Sequence, residues 1–275
     1  MKQINLIIVH YHTFALLSRQ LNLLVNNKST NLIADCSQNK RGNFLNFEID
    51  YQITVIDNNS LKMAEKKFLI DQFNSVSFIF NSTNKGFGSA VNLGNKNSQA
   101  EWLLILNPDV LLTVDDLNLL YQQANNIKFE ACSPQPLSEN YHKPLPSFWS
   151  LLIEFTFWHY FIPLSIFKNF TLTGGCLLIK KNIFDQLGGF DENFFLWFED
   201  SDLTKRLKDR GLKIGFVEVE VKHLGGSSLK LLSNHKRRTI FFSSMVLYTK
   251  KHLSIFSQLL AKYLQWKFIE RENKD

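Results

Sequence analysis

Short apolar runs alternate with helix-like segments along roughly the first 110 residues of the chain. The apolar runs predict four strands, at residues 4–9, 51–57, 77–80 and 102–106. Apolar residues at helical spacing predict three helices between them, at residues 15–25, 62–73 and 89–98. Strands that alternate with helices form βαβ units, so the pattern predicts an α/β fold with a mostly parallel sheet.

Polar side chains follow the ends of these predicted strands. They are His10 and His12 after the first strand, Asp57 at the end of the second, Asn84 after the third and Asp109 after the fourth. In open parallel sheets, ligands bind at the carboxyl ends of the strands. We therefore expect these side chains to lie near a binding site.

The second half of the chain has a different character. Its predicted elements are strands at residues 177–179 and 215–219, a helix at 182–187, and one or two helices at 239–269. Prolines break the pattern between residues 134 and 170, and residues 148–167 are strongly apolar and aromatic. Glu154, His159 and Pro163 interrupt that segment, so it is not expected to span a membrane. It is interpreted either as a flap that faces a membrane or an acceptor, or as an ordinary buried helix.

Three carboxylates stand close together directly after an almost wholly aromatic run at residues 194–198. They are Glu199, Asp200 and Asp202. Clustered carboxylates repel one another and are costly to bury, so this placement indicates a carboxylate with a tuned pKa or a cation bound nearby. The alternative is the acidic first turn of a helix, stabilised by the helix dipole. The cluster alone leaves both interpretations open.

Composition limits the class of protein and its compartment. Hydrophobic residues make up 45% and charged residues 20% of the 275, as in ordinary globular proteins, whereas 25 phenylalanines are unusual. The cysteines Cys36, Cys132 and Cys176 are far apart and odd in number, which argues against a disulfide framework or a zinc site and fits a reducing compartment. The first residues lack a long apolar region and are interpreted as a first strand rather than a signal peptide.

The net charge of +6 is concentrated late in the chain. Basic residues at 236–238 and 250–251 punctuate a stretch rich in Phe, Leu and Tyr. No helix-turn-helix, zinc-finger or RNP-like pattern accompanies them, so nucleic acid is not an expected partner. An anionic membrane surface or a diphosphate is the better expectation.

Several single residues each allow two interpretations. Asp109 could hold a hard divalent cation, or could belong to a simple Asn-Pro-Asp turn. Asp57 could cap a helix, or could accept a hydrogen bond from a base or a ribose hydroxyl. His223, which is expected on a short loop, could ligate a metal or be an ordinary surface histidine. The glycines of residues 84–88 permit close backbone approach to a ligand, but this loop matches neither a P-loop nor the dinucleotide fingerprint.

In their order and spacing, these motifs resemble family 2 glycosyltransferases, in particular the rhamnosyltransferase-like branch of bacterial cell-surface polysaccharide synthesis. The matching blocks are residues 8–11, 55–60, 84–88 with Asn92 and Gly94, 106–109, 173–175, 188–192, 198–203, and His223 with 225–227. The resemblance runs from about Ile4 to Lys251, which is nearly the whole chain.

This resemblance implies a GT-A fold, with a Rossmann-like, mostly parallel sheet flanked by helices and followed by C-terminal helices. The implied glycosyltransferase domain covers residues 1–235, divided at about residue 110 into nucleotide-binding and acceptor halves, and residues 236–275 form a helical extension. The implied reaction is inverting transfer of a sugar, with rhamnose as one candidate, from a nucleotide-diphosphate donor. Mg²⁺ or Mn²⁺ is the implied cofactor.

The implied acceptor is a saccharide or a lipid-linked saccharide. We expect a cytoplasmic protein that contacts the inner face of the cytoplasmic membrane through the 148–167 segment and the basic aromatic C-terminus. The 148–167 segment itself has no motif that the family pattern matches, so the acceptor side is left open.

Roles for single residues follow from the resemblance by position. Asp200 would be the general base, and Glu199 and Asp202 would orient it or the acceptor. Asp109 would be the metal-binding acid, and His223 a further contact to the metal or the diphosphate. The implied substrate-binding residues are His10, Asp57, Asn84, Gly86, Asn92, Asn107, Gly175 and Arg238.

Two positions depart from the family pattern. Asn107 occupies the first acidic position of the metal-binding motif, which leaves one carboxylate there and could weaken the dependence on metal. Leu224 follows His223 where relatives often carry a polar residue.

Two other functions compete with glycosyl transfer. A catalytically silent sugar-nucleotide or glycan-binding module would be free to lose its base, and the intact acid cluster argues against it. A sugar-nucleotide-forming nucleotidyltransferase should carry a Gly-rich, Arg-containing loop near the N-terminus, whereas residues 10–13 read His-Tyr-His-Thr.

Overall fold

A computed structural model of the chain describes residues 3–26, 49–135, 143–224 and 232–270. The strands are β1 (Ile4–His10), β2 (Tyr51–Asp57), β3 (Ser77–Phe80), β4 (Trp102–Leu106), β5 (Val110–Leu111), β6 (Ala131–Pro134), β7 (Cys176–Lys180), β8 (Ile214–Val217) and β9 (Lys222–His223). The helices are α1 (Phe14–Val25), α2 (Met63–Gln72), α3 (Phe87–Asn95), α4 (Val114–Ile127), α5 (Phe148–Phe155), α6 (Lys181–Gln186), α7 (Glu199–Asp209), α8 (Asn234–His252) and α9 (Ile255–Gln265). Two 3₁₀ turns, Phe157–Tyr160 and Leu164–Ile166, follow α5, and a π-helical segment, Trp266–Glu270, follows α9.

Seven strands form one sheet in the order β3-β2-β1-β4-β7-β6-β8, and β5 pairs with β9 in a separate two-stranded sheet. Neighbouring strands of the large sheet are parallel, except where β7 pairs antiparallel with β4 and β6. The mostly parallel α/β fold predicted from the sequence is therefore confirmed. The four strands predicted in the first half correspond to β1–β4, and their ends agree to within about one residue.

The central strands are apolar on both faces because hydrophobic clusters lie on both sides of the sheet. On β4, Trp102, Leu104 and Leu106 belong to one cluster, whereas Leu103 and Ile105 belong to the other. All five side chains are fully buried. Burial on both faces explains why these strands read as continuous apolar runs and not as alternating ones.

A third hydrophobic cluster joins the C-terminal helices to the aromatic run that precedes α7. Phe194 and Phe198 pack there with Met245 and Tyr248 of α8, and Leu151 of α5 belongs to the same cluster. The helices predicted at residues 239–269 are thus present as α8 and α9, with α8 starting earlier, at Asn234. The proposed division into nucleotide-binding half, acceptor half and extension stays a prediction.

Three expectations differ from the structure. The loop expected around His223 is wrong, because His223 lies in β9 and pairs with Val110 of β5. Helix α4 and strand β6 have no counterpart among the predicted elements. The ordinary buried helix considered for residues 148–167 is wrong, because only a short helix forms there and several aromatic side chains after it are exposed. Within the described ranges, no helix has both the length and the apolarity needed to cross a membrane.

Candidate active site

A cleft lies beside the ends of β1 and β4 and the turns that follow β2 and β3. Four of the predicted site residues line it, and the structure adds Tyr11 and Lys236. The four are Asn84, Gly86, Asn107 and Asp109. The carboxyl-end rule for parallel sheets therefore located the cleft correctly.

His10 and Asp57 face each other because β1 and β2 pair them in register. Nε2 of His10 accepts a hydrogen bond from the Thr13 backbone N–H at 3.0 Å. The other ring nitrogen, Nδ1, therefore carries the proton and donates to Asp57 Oδ1, also at 3.0 Å. The Ser60 hydroxyl donates to the same carboxylate oxygen at 2.7 Å. Burial would raise the pKa of Asp57, but hydrogen bonds from His10, Ser60 and the Leu61 backbone more than offset it and lower the pKa.

These two side chains lie beneath the surface of the cleft. Both residues are fully buried, and their polar atoms bind one another and the turn at residues 57–61. Their position stabilises the end of β2 and the turn after it. Contact of Asp57 with a base or ribose, and of His10 with the donor, stays a prediction.

Gly86 brings the loop after β3 against the aromatic run before α7. Its φ is +93°, a conformation that L side chains rarely adopt, and an added Cβ would lie 2.5 Å from the Phe195 carbonyl oxygen. The Asn84 side chain accepts the Gly86 N–H at 2.9 Å, and Asn58 donates to the Gly86 carbonyl at 3.1 Å. Only glycine fits this close approach, which joins one wall of the cleft to the other.

Asn92 lies on α3 and holds the turn that precedes the aromatic run. Its amide nitrogen donates to the Phe190 carbonyl, and its amide oxygen accepts the Phe190 N–H, both at 2.9 Å. An added Cβ on Gly189 would lie 2.4 Å from that amide oxygen. The amide of Asn92 is thus used within the protein, and its predicted role toward substrate is untested.

Asp109 and His223 come together because β5 and β9 pair directly after Asp109. Asp109 Oδ2 lies 3.4 Å from His223 Nε2. The hydrogen bond that His223 donates to Asp109 raises the pKa of His223, and burial opposes that effect. The other oxygen, Oδ1, is buried and has no hydrogen-bond partner among the described residues.

A buried carboxylate oxygen without a partner carries a desolvation cost that a cation would remove. Asp109 and His223 therefore fit a divalent cation as a pair of protein ligands. In the part of the chain that the structure describes, no group of three His, Cys, Asp or Glu side chains is arranged to hold a metal. Any further ligands would have to come from the substrate or from water.

Two consecutive glycines connect this pair to the acid cluster. An added Cβ on Gly175 would lie 3.5 Å from Asn107 Nδ2, and one on Gly174 would lie 3.5 Å from Asp200 Cβ. Gly175 also accepts the Asn107 backbone N–H at 2.9 Å. The Asn107–Asp109 turn and Asp200 thus lie on either side of one short, side-chain-free segment.

Asp200 lies in the first turn of α7, as the helix interpretation of the acid cluster predicted. Its Oδ1 accepts the Ser201 N–H at 2.7 Å. Lys143 Nζ lies 3.3 Å from Oδ1 and 3.4 Å from Oδ2. The Asp200 side chain is 15% exposed, so part of the carboxylate is accessible to another molecule.

Lys143 is a site residue that the sequence did not reveal. It belongs to no motif, and it meets Asp200 only through tertiary folding. Its carbonyl accepts the Thr171 N–H at 2.8 Å, which fixes its backbone beside the segment leading to Gly174. Burial would lower the pKa of Lys143, but the carboxylates of Asp200 and Glu199 raise it, so the ammonium stays charged.

Glu199 has an environment quite different from that of Asp200. The residue is 7% exposed, and its buried Oε2 has no hydrogen-bond partner within the part of the chain that the structure describes. Burial, together with the neighbouring Asp200 carboxylate, raises the pKa of Glu199 to about 8. Glu199 is therefore mostly protonated at neutral pH.

Asp202 is the centre of an ion-pair cluster between α7 and α8. Its fully buried carboxylate lies 2.7 Å from Arg206 Nη2 and Lys251 Nζ, and 2.6 Å from His252 Nε2. Burial would raise the pKa of Asp202, but hydrogen bonds from His252 and Lys251 and the charge of Arg206 lower it to about 2. The carboxylate thus anchors α7 to α8, and its expected role in orienting the base or the acceptor stays a prediction.

The last two residues of the aromatic run, directly before α7, have a strained backbone. Trp197 and Phe198 both have φ of +65°, an uncommon conformation for bulky residues. Phe241 of α8 packs against both rings, and the Ser244 hydroxyl donates to the Leu196 carbonyl at 2.8 Å. Helix α8 therefore supports the turn that presents Asp200.

The basic residues at the start of α8 differ in whether they line the cleft. Lys236 is exposed and lines the cleft near Asp109. Arg238, which was predicted to bind substrate, is half-buried two residues further along α8 and is not among the residues lining the cleft. Its predicted role is untested.

Comparison with known proteins decides the family. The sequence profile of glycosyl transferase family 2 matches residues 31–188, which is more than half of the chain. The chain is a family 2 glycosyltransferase. A second profile, described as the N-terminal domain of galactosyltransferase, matches residues 158–225 and so includes the acid cluster and His223.

Curated relatives support this assignment over parts of their length. The low-salt glycan biosynthesis hexosyltransferase Agl10 of Haloferax volcanii is 24% identical over 180 residues, which cover 61% of this chain and 57% of that protein. The N-acetylglucosaminyl-diphospho-decaprenol L-rhamnosyltransferase of Mycobacterium tuberculosis is 38% identical over 79 residues, which cover 26% of each. The matches thus span little more than half of one relative and about a quarter of the other.

Solved structures support the GT-A fold. The mannosyltransferase PcManGT from Pyrobaculum calidifontis, in complex with GDP-Man and Mn²⁺, has a TM-score of 0.58 at 14% identity over 96% of this chain and 69% of its own. S. aureus TarS 1-349 has a TM-score of 0.52 at 14% identity over 100% of this chain and 72% of its own. At such low identity these likenesses concern the fold, and they confirm the predicted fold class.

Proposed function

We propose that this glycosyltransferase moves a hexosyl or deoxyhexosyl residue, with rhamnose as one candidate, from a nucleotide-diphosphate donor to a hydroxyl of a saccharide or lipid-linked acceptor, inverting the anomeric centre. The product belongs to a cell-surface polysaccharide. The observation that carries the proposal is the placement of Asp109 and Asp200 on separate elements, on either side of Gly174 and Gly175.

The donor lies in the cleft in this proposal. The diphosphate is near Asp109, where the exposed ammonium of Lys236 adds positive charge. Gly86 lines the cleft and lets the loop after β3 pack against Phe195, which shapes the space that the nucleotide occupies. Related structures support the choice of donor class, since one is a complex with GDP-Man and another, of TarS 1-349, a complex with UDP.

Asp109 and His223 are the residues that would hold Mg²⁺ or Mn²⁺. The partnerless Oδ1 of Asp109 and the exposed imidazole of His223 fit such an ion. A bound divalent cation supplies Lewis-acid stabilisation of the negative charge on the leaving diphosphate. Asn107 is neutral, so the protein gives this ion one carboxylate from that turn.

Asp200 acts as the general base. Its carboxylate takes the proton of the acceptor hydroxyl while the acceptor oxygen bonds to the anomeric carbon from the face opposite the diphosphate. The bond from the anomeric carbon to the diphosphate oxygen breaks, and the diphosphate leaves with the electron pair. The Lys143 ammonium contacts both oxygens of the Asp200 carboxylate at similar distances and holds it in place until the acceptor binds.

Glu199 and Asp202 have supporting roles. Protonated Glu199 adds no second negative charge next to the base, and Asp202 fixes the helix that carries it. The protein works in the cytoplasm, at the inner face of the cytoplasmic membrane, where a lipid-linked acceptor would be present.

The test combines binding with turnover. Nucleotide-sugars are screened by thermal shift with and without Mn²⁺, and the donor that stabilises the protein is then used in a transfer assay with wild type, Asp200→Asn and Asp209→Asn. A ligand at about 100 times its Kd stabilises a fold by about 2.7 kcal/mol, which a thermal shift detects. We expect Asp200→Asn to keep the donor shift and to lose at least about 100-fold in turnover, since general base catalysis contributes about 10²–10⁴.

Asp209→Asn is the matched control, because Asp209 lies at the other end of the same helix and pairs only with Lys205 among the described contacts. It should behave as wild type. Near-normal turnover of Asp200→Asn would refute the base assignment. The absence of a shift with every donor would favour a silent module on the same fold.

A further inference from the structure

Exposed aromatic side chains collect on α5 and in the segment that follows it. Trp149 is 64% exposed, Tyr160 78% and Phe161 73%, and Phe157 and Trp158 are also exposed. Singly exposed apolar residues are ordinary, but several large aromatic side chains within one short segment are not. Nothing in the proposed chemistry uses them.

Helix α9 is apolar on two opposite faces. Ser257, Ala261 and Leu264 face the protein and are buried. The outer face carries exposed apolar side chains at a helical spacing of three or four residues. They are Phe256, Leu259, Tyr263 and Trp266. One apolar face is enough to attach the helix to the protein, so the outer face is available for another surface.

The two groups belong to one region, because α5 packs on α9. Together we call them the aromatic surface, comprising the exposed and half-buried side chains of residues 149–168 and 255–267. Among the described residues 148–168 and 255–269, the ionic side chains are Lys168, Lys262 and Lys267 against one carboxylate, Glu154.

The aromatic surface is connected to the candidate base. The Phe155 ring, at the end of α5, lies 5.8 Å from the Phe241 ring of α8, which lies 5.3 Å from the Phe198 ring. Phe198 directly precedes Glu199 and Asp200. A molecule held against the aromatic surface would therefore be close to the acceptor side of the site.

We propose that the aromatic surface docks on an anionic lipid bilayer, and that this contact presents a lipid-linked acceptor to Asp200. The second part rests on the proposed function. Trp and Tyr prefer the membrane–water interface, Phe and Leu insert below it, and lysines at the edge contact anionic headgroups. A second copy of the chain is the poorer occupant, because symmetric pairing would bring two lysine-rich surfaces together with little negative charge to balance them.

The experiment measures vesicle binding of the full chain without donor or acceptor. Two kinds of vesicle are used: neutral phosphatidylcholine alone, and phosphatidylcholine with about a third of anionic phosphatidylglycerol. Each is sedimented with wild type, with the double variant Phe161→Ser/Phe256→Ser, and with Lys262→Glu. We expect wild type to bind the anionic vesicles, and the double variant to lose about 10-fold or more in partitioning because two inserted side chains are removed. Lys262→Glu should weaken binding about 5-fold or more on anionic vesicles and leave neutral ones unchanged.

Met63→Ser is the matched control, since Met63 is 80% exposed on α2, outside the aromatic surface. It should bind as wild type. If the double variant does not fold, Lys262→Glu and the tryptophan emission of wild type still decide, because docking should shift the emission to the blue.

Three results would overturn the docking proposal. In the first, wild type stays in solution when anionic vesicles are sedimented. In the second, wild type and the double variant bind these vesicles equally. In the third, wild type is a dimer without lipid and the double variant is a monomer. The last result would assign the surface to a second copy. If wild type shows the donor-dependent thermal shift but does not bind vesicles, the docking proposal alone is contradicted. If wild type binds vesicles but no donor shifts its melting temperature, the proposed function alone is contradicted.

Discussion

The substitution Glu199→Gln separates the two carboxylates at the start of α7. Glutamine keeps the shape of glutamate but cannot ionise. Glu199 is 7% exposed and its Oε2 has no partner, so its charged form has little to stabilise it. Because Glu199 is mostly protonated at neutral pH, we expect Glu199→Gln to keep most of the turnover there, unlike Asp200→Asn.

The effect on stability depends on pH, and its sign follows from linkage. The pKa of Glu199 rises from an ordinary 4.5 to about 8 on folding, so the folded state holds this proton more tightly than the unfolded state. Its contribution to stability is full below about pH 4.5 and is lost as the pH rises through about 8. At about 1.4 kcal/mol per pKa unit the loss has a ceiling near 5 kcal/mol. Coupling to Asp200 and local relaxation reduce this to about 2–4 kcal/mol.

Thermal unfolding between pH 5 and pH 9 measures this difference. Glu199→Gln should match wild type at pH 5 and exceed its Tm by about 5–10 °C at pH 9, given about 2–4 °C per kcal/mol for a chain of this size. Glu220→Gln, at an exposed position, is the control and should follow wild type throughout. A Tm difference that does not grow with pH would refute the burial argument. Loss of turnover in Glu199→Gln at pH 7, with Asp200→Asn active, would reverse the base assignment.

Three further substitutions, and one control for the second of them, test other parts of the structure. Asp109→Ala should lose the Mn²⁺-dependent part of the donor thermal shift, and an unchanged Mn²⁺ effect would contradict the metal assignment. Gly86→Ala should lower the free energy of unfolding by about 1–3 kcal/mol and weaken donor binding. Gly211→Ala, where φ is +67° in open space, measures the backbone term alone by chemical denaturation. Asp202→Asn should lower the free energy of unfolding by about 3–5 kcal/mol, because Arg206, His252 and the more exposed Lys251 lose their counter-charge. A loss below about 1 kcal/mol in denaturant unfolding would show that the cluster is not structural.

The elements that the sequence predicted well are those whose pattern reflects burial. Strands β1–β4 read as continuous apolar runs because clusters cover both faces of the sheet. Helix α4 was missed although Thr113 and Asp116 form a capping box before an amphipathic segment. That signal was present in the sequence. The four-residue strand β6 offered no comparable signal, because short apolar segments do not distinguish strand from helix.

Site residues that directly follow a strand could be predicted from the sequence. Site residues that meet a distant partner only in the folded chain could not. Asn107 and Asp109 follow β4 directly, and the structure places both in the cleft. Lys143 could not be found, since its contact with Asp200 joins positions 57 residues apart and no motif surrounds it. The burial of Asp57 under the cleft was equally hidden, because a strand-end carboxylate can turn toward the ligand or back to its own turn.

Helix geometry explains why three neighbouring acids have three different environments. Successive residues of an α-helix point about 100° apart, so Glu199, Asp200 and Asp202 cannot face one direction. Glu199 is buried without a partner, Asp200 meets Lys143 beside the glycine pair, and Asp202 turns to α8. The acidic first turn and the functional cluster are therefore one feature. Of the three carboxylates only Asp200 is not buried, and it is the one that lies beside the glycine pair, so the proposed proton transfer is assigned to one defined position.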